Sequence, residues 1–187
     1  MISHYRTDKA LQIAALLLQK EGGVINYTKL IKLMYVIERE SILRWGSPTI
    51  GDDCYSLPNG PILSHTLDCI NGTTYLSHVD EVWDRYIVRV GKYDVKLKKQ
   101  PELNCLSRAE LKLVDEIYEK LGNKNYQELI DWSHDPKNVP EWEDPERSRL
   151  PISFRAILEK GGYSPEEVEQ TLEELDSIEA ATNYFAA

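Results

Sequence analysis

Residues 27–46, YTKLIKLMYVIERESILRWG, are the stretch that decides the fold. Apolar residues recur in it every three or four positions, and one stripe consists of Tyr27, Leu30, Met34 and Ile37. This spacing predicts an amphipathic helix over residues 27–45 whose stripe faces a core. Asn26 can cap the start of the helix, and Gly46 ends it.

The flanks of this helix carry basic side chains, at Lys29, Lys32 and Arg39, with Arg44 beyond them. Glu38 and Glu40 dilute the positive charge, and no helix-turn-helix pattern accompanies it. We therefore expect a solvated helix face here and not a contact with nucleic acid.

Helices are also predicted on either side of this segment. Residues 8–20 have helical periodicity and stop at the glycine pair that begins at Gly22. Residues 47–61 are rich in turn-forming residues. Pro61 is predicted to open a third helix that runs to about Ile70, because the first position of a helix needs no amide hydrogen.

The hydrophobic period changes to two between residues 82 and 98. Two runs of alternating apolar and polar residues are separated there by Gly91-Lys92. This pattern predicts a β-hairpin.

Three capping boxes make helices the main feature of the second half. They pair Ser107 with Glu110, Asn125 with Glu128, and Ser164 with Glu167. A proline-rich loop over residues 134–151 separates the last two of these helices. The sequence thus predicts a mainly α fold with a small β-hairpin (α+β). Residues 1–160 would form a compact single-domain helical bundle, and residues 161–187 an acidic helix packed on it or extending from it.

The formal net charge of the chain is −9, and residues 161–187 hold seven acids without one Lys or Arg. This balance argues against sequence-independent binding of nucleic acid as a function, because phosphate binding needs a clustered Lys and Arg surface. The uncompensated carboxylates predict a partner-binding role for the final helix, and the alternative is a solvated face whose first acids complement the helix dipole. The candidate partner-binding residues are Glu169, Glu173, Asp176, Tyr184 and Phe185.

Targeting and redox features predict a cytoplasmic protein. The first residues lack the apolar core of a secretory signal, and no stretch approaches the ~20 apolar residues of a membrane helix. The three cysteines are an odd number without a CxxC pair, so disulfides are not expected.

Two constellations contain the residue types of an active site. Asp131, Ser133, His134 and Asp135 include Ser, His and Asp, but residues adjacent in sequence cannot adopt the relayed geometry of a triad. The alternative is a helix end at which His134 bonds local backbone.

Cys54, His65, Cys69 and His78 could supply zinc ligands, yet no pair among them has finger-like spacing. We expect Cys69 to be buried and His65 to lie at the surface. No metal or cofactor is predicted.

Several short motifs occur in a fixed order. LIKLMY at residues 30–35 is followed by GSPTIGD at residues 46–52 and by NGPI at residues 59–62. Later come Ser107 with Glu110, Tyr126 with Leu129, and Ser133-His134 followed by Trp142. In this order the motifs resemble the Panacea domain of SocA-like antitoxins, a family also described as phage-associated protein, over roughly residues 8–160.

The chain departs from the family pattern at Met34, where a second Leu is usual, and at Leu57-Pro58-Asn59, which lacks the usual aromatic residue. Its loop from His134 to Trp142 is a few residues longer than usual. We expect the motif positions to be mainly structural; they are Lys32, Leu33, Tyr35, Gly46, Asp52, Gly60, Pro61, Ser107, Glu110, His134 and Trp142.

The resemblance implies an antitoxin of a bacterial or prophage toxin–antitoxin pair that neutralises its toxin by direct protein contact and is not an enzyme. Its partner would be a cognate toxin encoded beside it. The family is paired with many unrelated toxins, including alarmone-synthetase-like toxins that modify transfer RNA or deplete nucleotides. The alternatives are an enzyme centred on His134 with Asp131 and Asp135, and a DNA-binding regulator. A homo-oligomer is compatible with each reading.

Overall fold

The computed structural model describes residues 5–73 and 77–186, without the side chains of residues 77–80, 179 and 182–186. In this part of the chain the helices are α1 (Thr7–Lys20), α2 (Tyr27–Trp45), α3 (Ser64–Asn71), α4 (Ser77–Asp84), α5 (Arg108–Leu121), α6 (Tyr126–His134), α7 (Phe154–Lys160) and α8 (Pro165–Ala186). The strands are β1 (Val24–Asn26), β2 (Cys54–Leu57), β3 (Gly60–Leu63), β4 (Ile87–Val90), β5 (Asp94–Leu97) and β6 (Leu150–Ile152). The predicted mainly helical α+β fold is confirmed.

Helix α2 has the bounds that its sequence predicts, and it lies at the centre of the fold. The Asn26 side chain accepts hydrogen bonds from the backbone N–H groups of Thr28 and Lys29, and Gly46 ends the helix in the left-handed region at φ 61°. Helices α1, α5, α6 and α7 pack around α2. Leu30, Met34 and Ile37 of the apolar stripe are buried among them, and Tyr27 at the start of the helix is partly buried.

The solvated basic face predicted for α2 is wrong. Lys29, Lys32 and Arg39 are all buried, while Arg44 alone of the four remains largely exposed. The sequence could not show this because the covering elements, strand β3 and helices α5, α6 and α7, are distant in the chain.

The predicted hairpin is present as β4 and β5. It begins at Ile87 and not at Val82, because Val82 lies in α4. Strand β1, which leads directly into α2, joins it in an antiparallel sheet of order β1-β5-β4. Ile25, Val95 and Ile87 point from this sheet into the core.

The turn-rich segment contains a second antiparallel sheet, of order β3-β2-β6. Pro61 was expected to open a helix, and this is wrong: it lies in β3 opposite Ser56, and α3 begins at Ser64. A proline is tolerated there because β3 is an edge strand. The backbone N–H groups on the outer side of such a strand face no neighbouring strand, so the N–H that proline lacks is not missed in the sheet. Strand β6 begins at the end of the predicted loop over residues 134–151 and pairs with β2.

The three predicted capping boxes form. In each box the side chain of the first residue accepts a hydrogen bond from the backbone N–H of the Glu, and the carboxylate of the Glu accepts one from the backbone N–H of the first residue. The pairs are Ser107 and Glu110 at α5, Asn125 and Glu128 at α6, and Ser164 and Glu167 at α8. No helix of the described residues is long and apolar enough to cross a membrane.

Candidate functional site

One face of α2 carries polar groups that are held inside the protein. Lys32, Tyr35 and Arg39 are spaced by three and four residues and therefore share this face. Lys32 reaches strand β3, whereas Tyr35 and Arg39 both reach the loop after α6, and all three side chains are buried. We refer to Lys32, Tyr35, Gly60, Pro61, His134 and Trp142 as the motif cluster.

Lys32 holds the turn between β2 and β3. Its ammonium donates to the carbonyl oxygen of Pro61 at 2.7 Å, and burial lowers the pKa of this group to about 7. Gly60, at φ +91°, lies against the same ammonium: a Cβ there would stand 2.9 Å from Lys32 Nζ and collide with Ser133 Oγ. The turn, the lysine and the end of α6 are therefore packed without room for a side chain at position 60.

Tyr35 and Arg39 converge on one carboxylate. The hydroxyl of Tyr35 donates to Glu141 Oε1 at 2.7 Å, and Arg39 Nε donates to the same oxygen at 2.6 Å. The Glu141 side chain is fully buried, and its Oε2 has no hydrogen-bond partner among the described residues. Burial, and then the charge of Glu141, raise the pKa of Tyr35 well above its usual value. This network ties the loop after α6 to the middle of α2.

Glu38 organises the loop that follows α2. Its carboxylate accepts the backbone N–H groups of Ile50, Gly51 and Asp52 at 2.7, 2.6 and 3.4 Å. Burial raises the pKa of Glu38 to about 7, although these three donors favour the anion. The loop is thereby fixed by a side chain from inside the helix.

Asp52 in turn holds the start of α3. Its carboxylate accepts the backbone N–H groups of His65 and Thr66, each at 2.9 Å, and the hydroxyl of Thr66 at 2.7 Å. The motif position Asp52 therefore acts as a cap for a helix that lacks its own N-cap side chain.

His134 and Trp142 form a stacked pair at the other side of the cluster. Their ring centroids are 3.9 Å apart with an interplanar angle of 12°, and Trp142 Nε1 donates to the carbonyl oxygen of Leu57 at 3.2 Å. Burial, and then the charge of Lys32, lower the pKa of His134. The buried Nε2 of His134 has no hydrogen-bond partner among the described residues.

The acids proposed to assist His134 bond elsewhere. Asp131 accepts from the side chain of Gln127, and Asp135 accepts from the backbone N–H of Lys137. Ser133 donates to the carbonyl oxygen of Ile130. Among the described residues no serine is held by His134 and no carboxylate orients its ring, which are the contacts that acyl transfer needs.

The candidate zinc ligands that the structure describes do not form a group of three or more. Cys69 is buried, as expected, and His65 is half-exposed with Nδ1 3.0 Å from Asp52 Oδ1, a bond that raises the pKa of His65. Cys54 is buried in β2, and its thiol donates to the carbonyl oxygen of Asp52 at 3.8 Å. The side chain of His78 lies outside the described residues. Among those described, no three His, Cys, Asp or Glu side chains are grouped to hold a metal.

The other motif positions lie outside the cluster. Leu33 is in the core, and Gly46 ends α2 against Thr171 of α8. Ser107 and Glu110 cap α5, where Glu110 also receives a hydrogen bond from Lys9 at 2.6 Å.

The acidic helix α8 is attached by its first half. Val168 is fully buried, and the hydroxyl of Tyr163, just before the helix, donates to the carbonyl oxygen of Leu43 at 2.8 Å. Farther along, Glu173 and Asp176 are exposed and Ile178 is 63% exposed. The predicted anchors Tyr184 and Phe185 fall on residues whose side chains are not described.

Glu169 forms an ion pair with a basic residue that lies outside residues 161–187. Arg155 of α7 binds it through two nitrogens, at 2.6 and 3.2 Å, which lowers the pKa of Glu169. Among the described residues Glu173 and Asp176 form no ion pair. Two of the three acids predicted to bind a partner thus remain uncompensated.

Sequence reasoning missed Glu38, Arg39, Glu141 and Arg155 as structural groups. For Arg39 a signal existed, since its spacing from Lys32 and Tyr35 puts it on the same helix face. Glu141 and Arg155 gave no signal, because charged residues in a loop or a short helix are usually solvated.

A family model described as antitoxin SocA-like, Panacea domain, matches residues 30–143. This span contains every residue of the motif cluster. No curated protein and no solved structure gave a significant match.

Proposed function

The chain belongs to the family described as antitoxin SocA-like, Panacea domain, and from this premise we propose that it neutralises a cognate protein toxin by direct contact. The family match over residues 30–143 is the observation that carries the proposal. The setting we propose is a cytoplasmic toxin–antitoxin pair of a bacterium or prophage, with the toxin encoded by the adjacent gene.

We propose a binding function and not catalysis because the polar groups of the motif cluster are engaged in holding the fold. Lys32 closes the β2–β3 turn, Tyr35 binds the carboxylate of Glu141, and the ring of His134 lies flat on Trp142. A general acid or base must reach a substrate, whereas these groups contact a backbone carbonyl, a buried carboxylate and an aromatic ring of the protein itself. We propose that the motif positions are mainly structural and that the family pattern describes a scaffold.

Helix α8 is the surface that we propose for the toxin. Its first half is packed on the end of α2, and its second half presents Glu173 and Asp176 to solvent. Such a helix can lie along a basic, nucleic-acid-facing groove of a toxin, where unpaired carboxylates meet Lys and Arg and speed the encounter. Tyr184 and Phe185 remain the proposed apolar anchors.

Growth on co-expression tests both parts of the proposal. The chain is expressed with the product of the adjacent open reading frame, and growth is scored for wild type and for the double variant Glu173→Lys/Asp176→Lys. The control, Glu102→Lys/Glu119→Lys, makes the same charge change at exposed positions far from α8 in sequence. We expect wild type and control to restore growth and the α8 variant to restore less of it.

Failure of the wild type to relieve toxicity of a neighbour that is toxic when expressed alone would contradict the antitoxin function. Equal rescue by both double variants would leave that function standing and refute α8 as the contact surface. Circular dichroism of each variant checks that α8 remains helical.

A further inference from the structure

A basic surface lies at the opposite end of α2 from the acidic helix. Residues 85–99, which include β4 and β5, hold six Lys and Arg and a single acid, Asp94, in a chain whose net charge is −9. All six basic side chains are exposed; they are Arg85, Arg89, Lys92, Lys96, Lys98 and Lys99. We name residues 85–99 the basic hairpin.

These positive charges are not neutralised within the protein. Among the described residues none of the six forms an ion pair, in contrast to Lys9, Lys29 and Arg39 elsewhere in the chain. Arg89 donates to the side chain of Asn71 and to the backbone carbonyl of Lys92, both of which are neutral acceptors. The charge of the hairpin is therefore available to an anionic partner.

The outer face of the sheet is apolar around a central lysine. In the antiparallel register Val24 of β1, Lys96 of β5 and Val88 of β4 stand side by side, so their side chains share a face. Val24 is 45% exposed and Val88 is 39% exposed, because the opposite face is the one that packs on the core.

Basic and aromatic side chains are paired along the hairpin. Lys92 Nζ lies 5.0 Å from the ring centroid of Tyr93, Arg89 Cζ lies 4.8 Å from that of Tyr27, and Lys99 Nζ lies 5.8 Å from that of Tyr86. Tyr93 at the turn is 52% exposed, so its ring can receive another planar group.

The net charge of the whole chain argues against such a partner, but the charge of this one surface is positive, and from these observations we propose that the basic hairpin binds a single-stranded nucleic acid. Lys92, Lys96 and Lys99 would contact phosphates, and a base would stack on Tyr93, the combination by which single strands are bound without base-specific hydrogen bonds. RNA and DNA both present phosphates and bases, so either could be bound in this way.

The acidic helix does not prevent such binding. Strand β1 enters the first turn of α2, whereas α8 packs near Leu43 and Gly46 at the last turn. The 19 residues of α2 separate these ends by about 28 Å. At physiological salt this is several times the screening length of about 8 Å. The proposal is also independent of the antitoxin function, since it uses a different surface.

Fluorescence anisotropy with labelled oligo-dT and oligo-rU of roughly 12 nucleotides tests the proposal. Lys92→Glu/Lys96→Glu/Lys99→Glu should weaken binding by at least about tenfold and reduce the magnitude of the salt slope by about 2. The control Lys112→Glu/Lys137→Glu/Lys160→Glu changes the net charge equally at exposed sites outside the hairpin and should have little effect.

A second pair of variants, one in the hairpin and one control, tests the stacking contact. Tyr93→Ala should weaken binding by about fivefold or more, whereas Tyr126→Ala, at a tyrosine of similar exposure on α6, should not. Tighter binding of oligo-rU or of oligo-dT would support the proposal and identify the natural strand.

Three results would overturn it: equal effects of the two triple variants, an unchanged affinity in Tyr93→Ala, or equally tight binding of poly-glutamate. Sedimentation provides a further check. Dispersal of a wild-type oligomer by the hairpin triple variant alone would assign this surface to self-association and also refute the proposal.

Discussion

The ammonium of Lys32 donates to the carbonyl oxygen of Pro61 across 2.7 Å, in a side chain that is 2% exposed. Burial lowers the pKa of Lys32 to about 7. Its charge is also felt by His134, whose pKa falls through burial and through this cation. A lysine in the central helix thus connects the β2–β3 turn electrostatically with the end of α6.

The stability of the protein should increase with pH above about 7 because of Lys32. The pKa of Lys32 is lower in the folded chain than the usual 10.5, so the unfolded chain binds more protons between these values. Stability then rises with pH, with a slope of up to about 1.4 kcal/mol per pH unit from this group. Lys32→Met should remove that contribution, as measured by urea unfolding between pH 6 and pH 9.5.

Lys29→Met provides the control for this experiment. Lys29 is also buried on α2, but its ammonium is 2.5 Å from Glu21 Oε1 and donates to the carbonyl oxygen of Gly122. Its replacement should leave the slope due to Lys32 in place. If the Lys32→Met protein shows the same increase with pH as wild type, the ammonium is not the titrating group.

Glu38 should have the opposite pH dependence. Burial raises its pKa from 4.5 to about 7, so the folded chain binds the extra proton between these values and stability falls as pH rises through this window. Glu38→Gln lacks the titration and places an amide N–H₂ against the backbone donors of Ile50 or Gly51. We expect it to be less stable than wild type by about 1–3 kcal/mol at pH 5.

That deficit should shrink between pH 5 and pH 8, which the same urea series would show. A deficit that grows with pH would mean that the three N–H donors outweigh burial and keep Glu38 ionised.

The buried pair Arg39–Glu141 should be far more costly to break than the exposed pair Arg44–Glu116. Arg39→Met leaves the carboxylate of Glu141 buried with Tyr35 as its remaining donor and should cost about 3–5 kcal/mol. Arg44→Met, which breaks a contact of 2.5 Å in solvent, should lower the stability far less than Arg39→Met does. In a double-mutant cycle Arg39→Met/Glu141→Leu should lose less stability than the sum of the single changes. Strict additivity would show that the two residues do not interact energetically.

Local signals were sufficient for part of this fold. Asn26 and Ser107 bind backbone groups within three residues of themselves. The starts of their helices could therefore be predicted from residues that are close in sequence. The interior of the candidate site could not be predicted in this way, because Lys32 meets Pro61 29 positions away and Arg39 meets Glu141 102 positions away. Pro61 was misassigned for the same reason: proline suits both a helix start and an edge strand, and only pairing with β2 decides between them.

Trp142 should contribute to stability through its ring more than through its N–H group. The ring stacks on His134, and Nε1 donates to the carbonyl oxygen of Leu57. Because the side chain is partly buried, Trp142→Ala should cost about 3 kcal/mol, and Trp142→Phe, which keeps an aromatic ring, about 1 kcal/mol. Thermal unfolding followed by circular dichroism measures both, and an unchanged melting temperature in Trp142→Ala would show that the stacked pair carries no stability.

The acidic helix should determine how quickly a basic toxin is bound, and its acids should not be equivalent. Glu169 is held by Arg155, so Glu169→Lys would place two cations together and disturb the contact between α7 and α8. Glu173 and Asp176 form no such pair among the described residues, and their reversal to Lys should leave the fold intact.

Rim charges act mainly on the association rate, so the double variant Glu173→Lys/Asp176→Lys should bind the toxin more slowly. Its association rate should also fall less steeply with added salt. Stopped-flow association with purified toxin at two ionic strengths measures both quantities. A wild-type rate with an unchanged salt dependence would move the contact away from α8 and direct attention to the exposed tip of the β2–β3 turn, at Pro58 and Asn59.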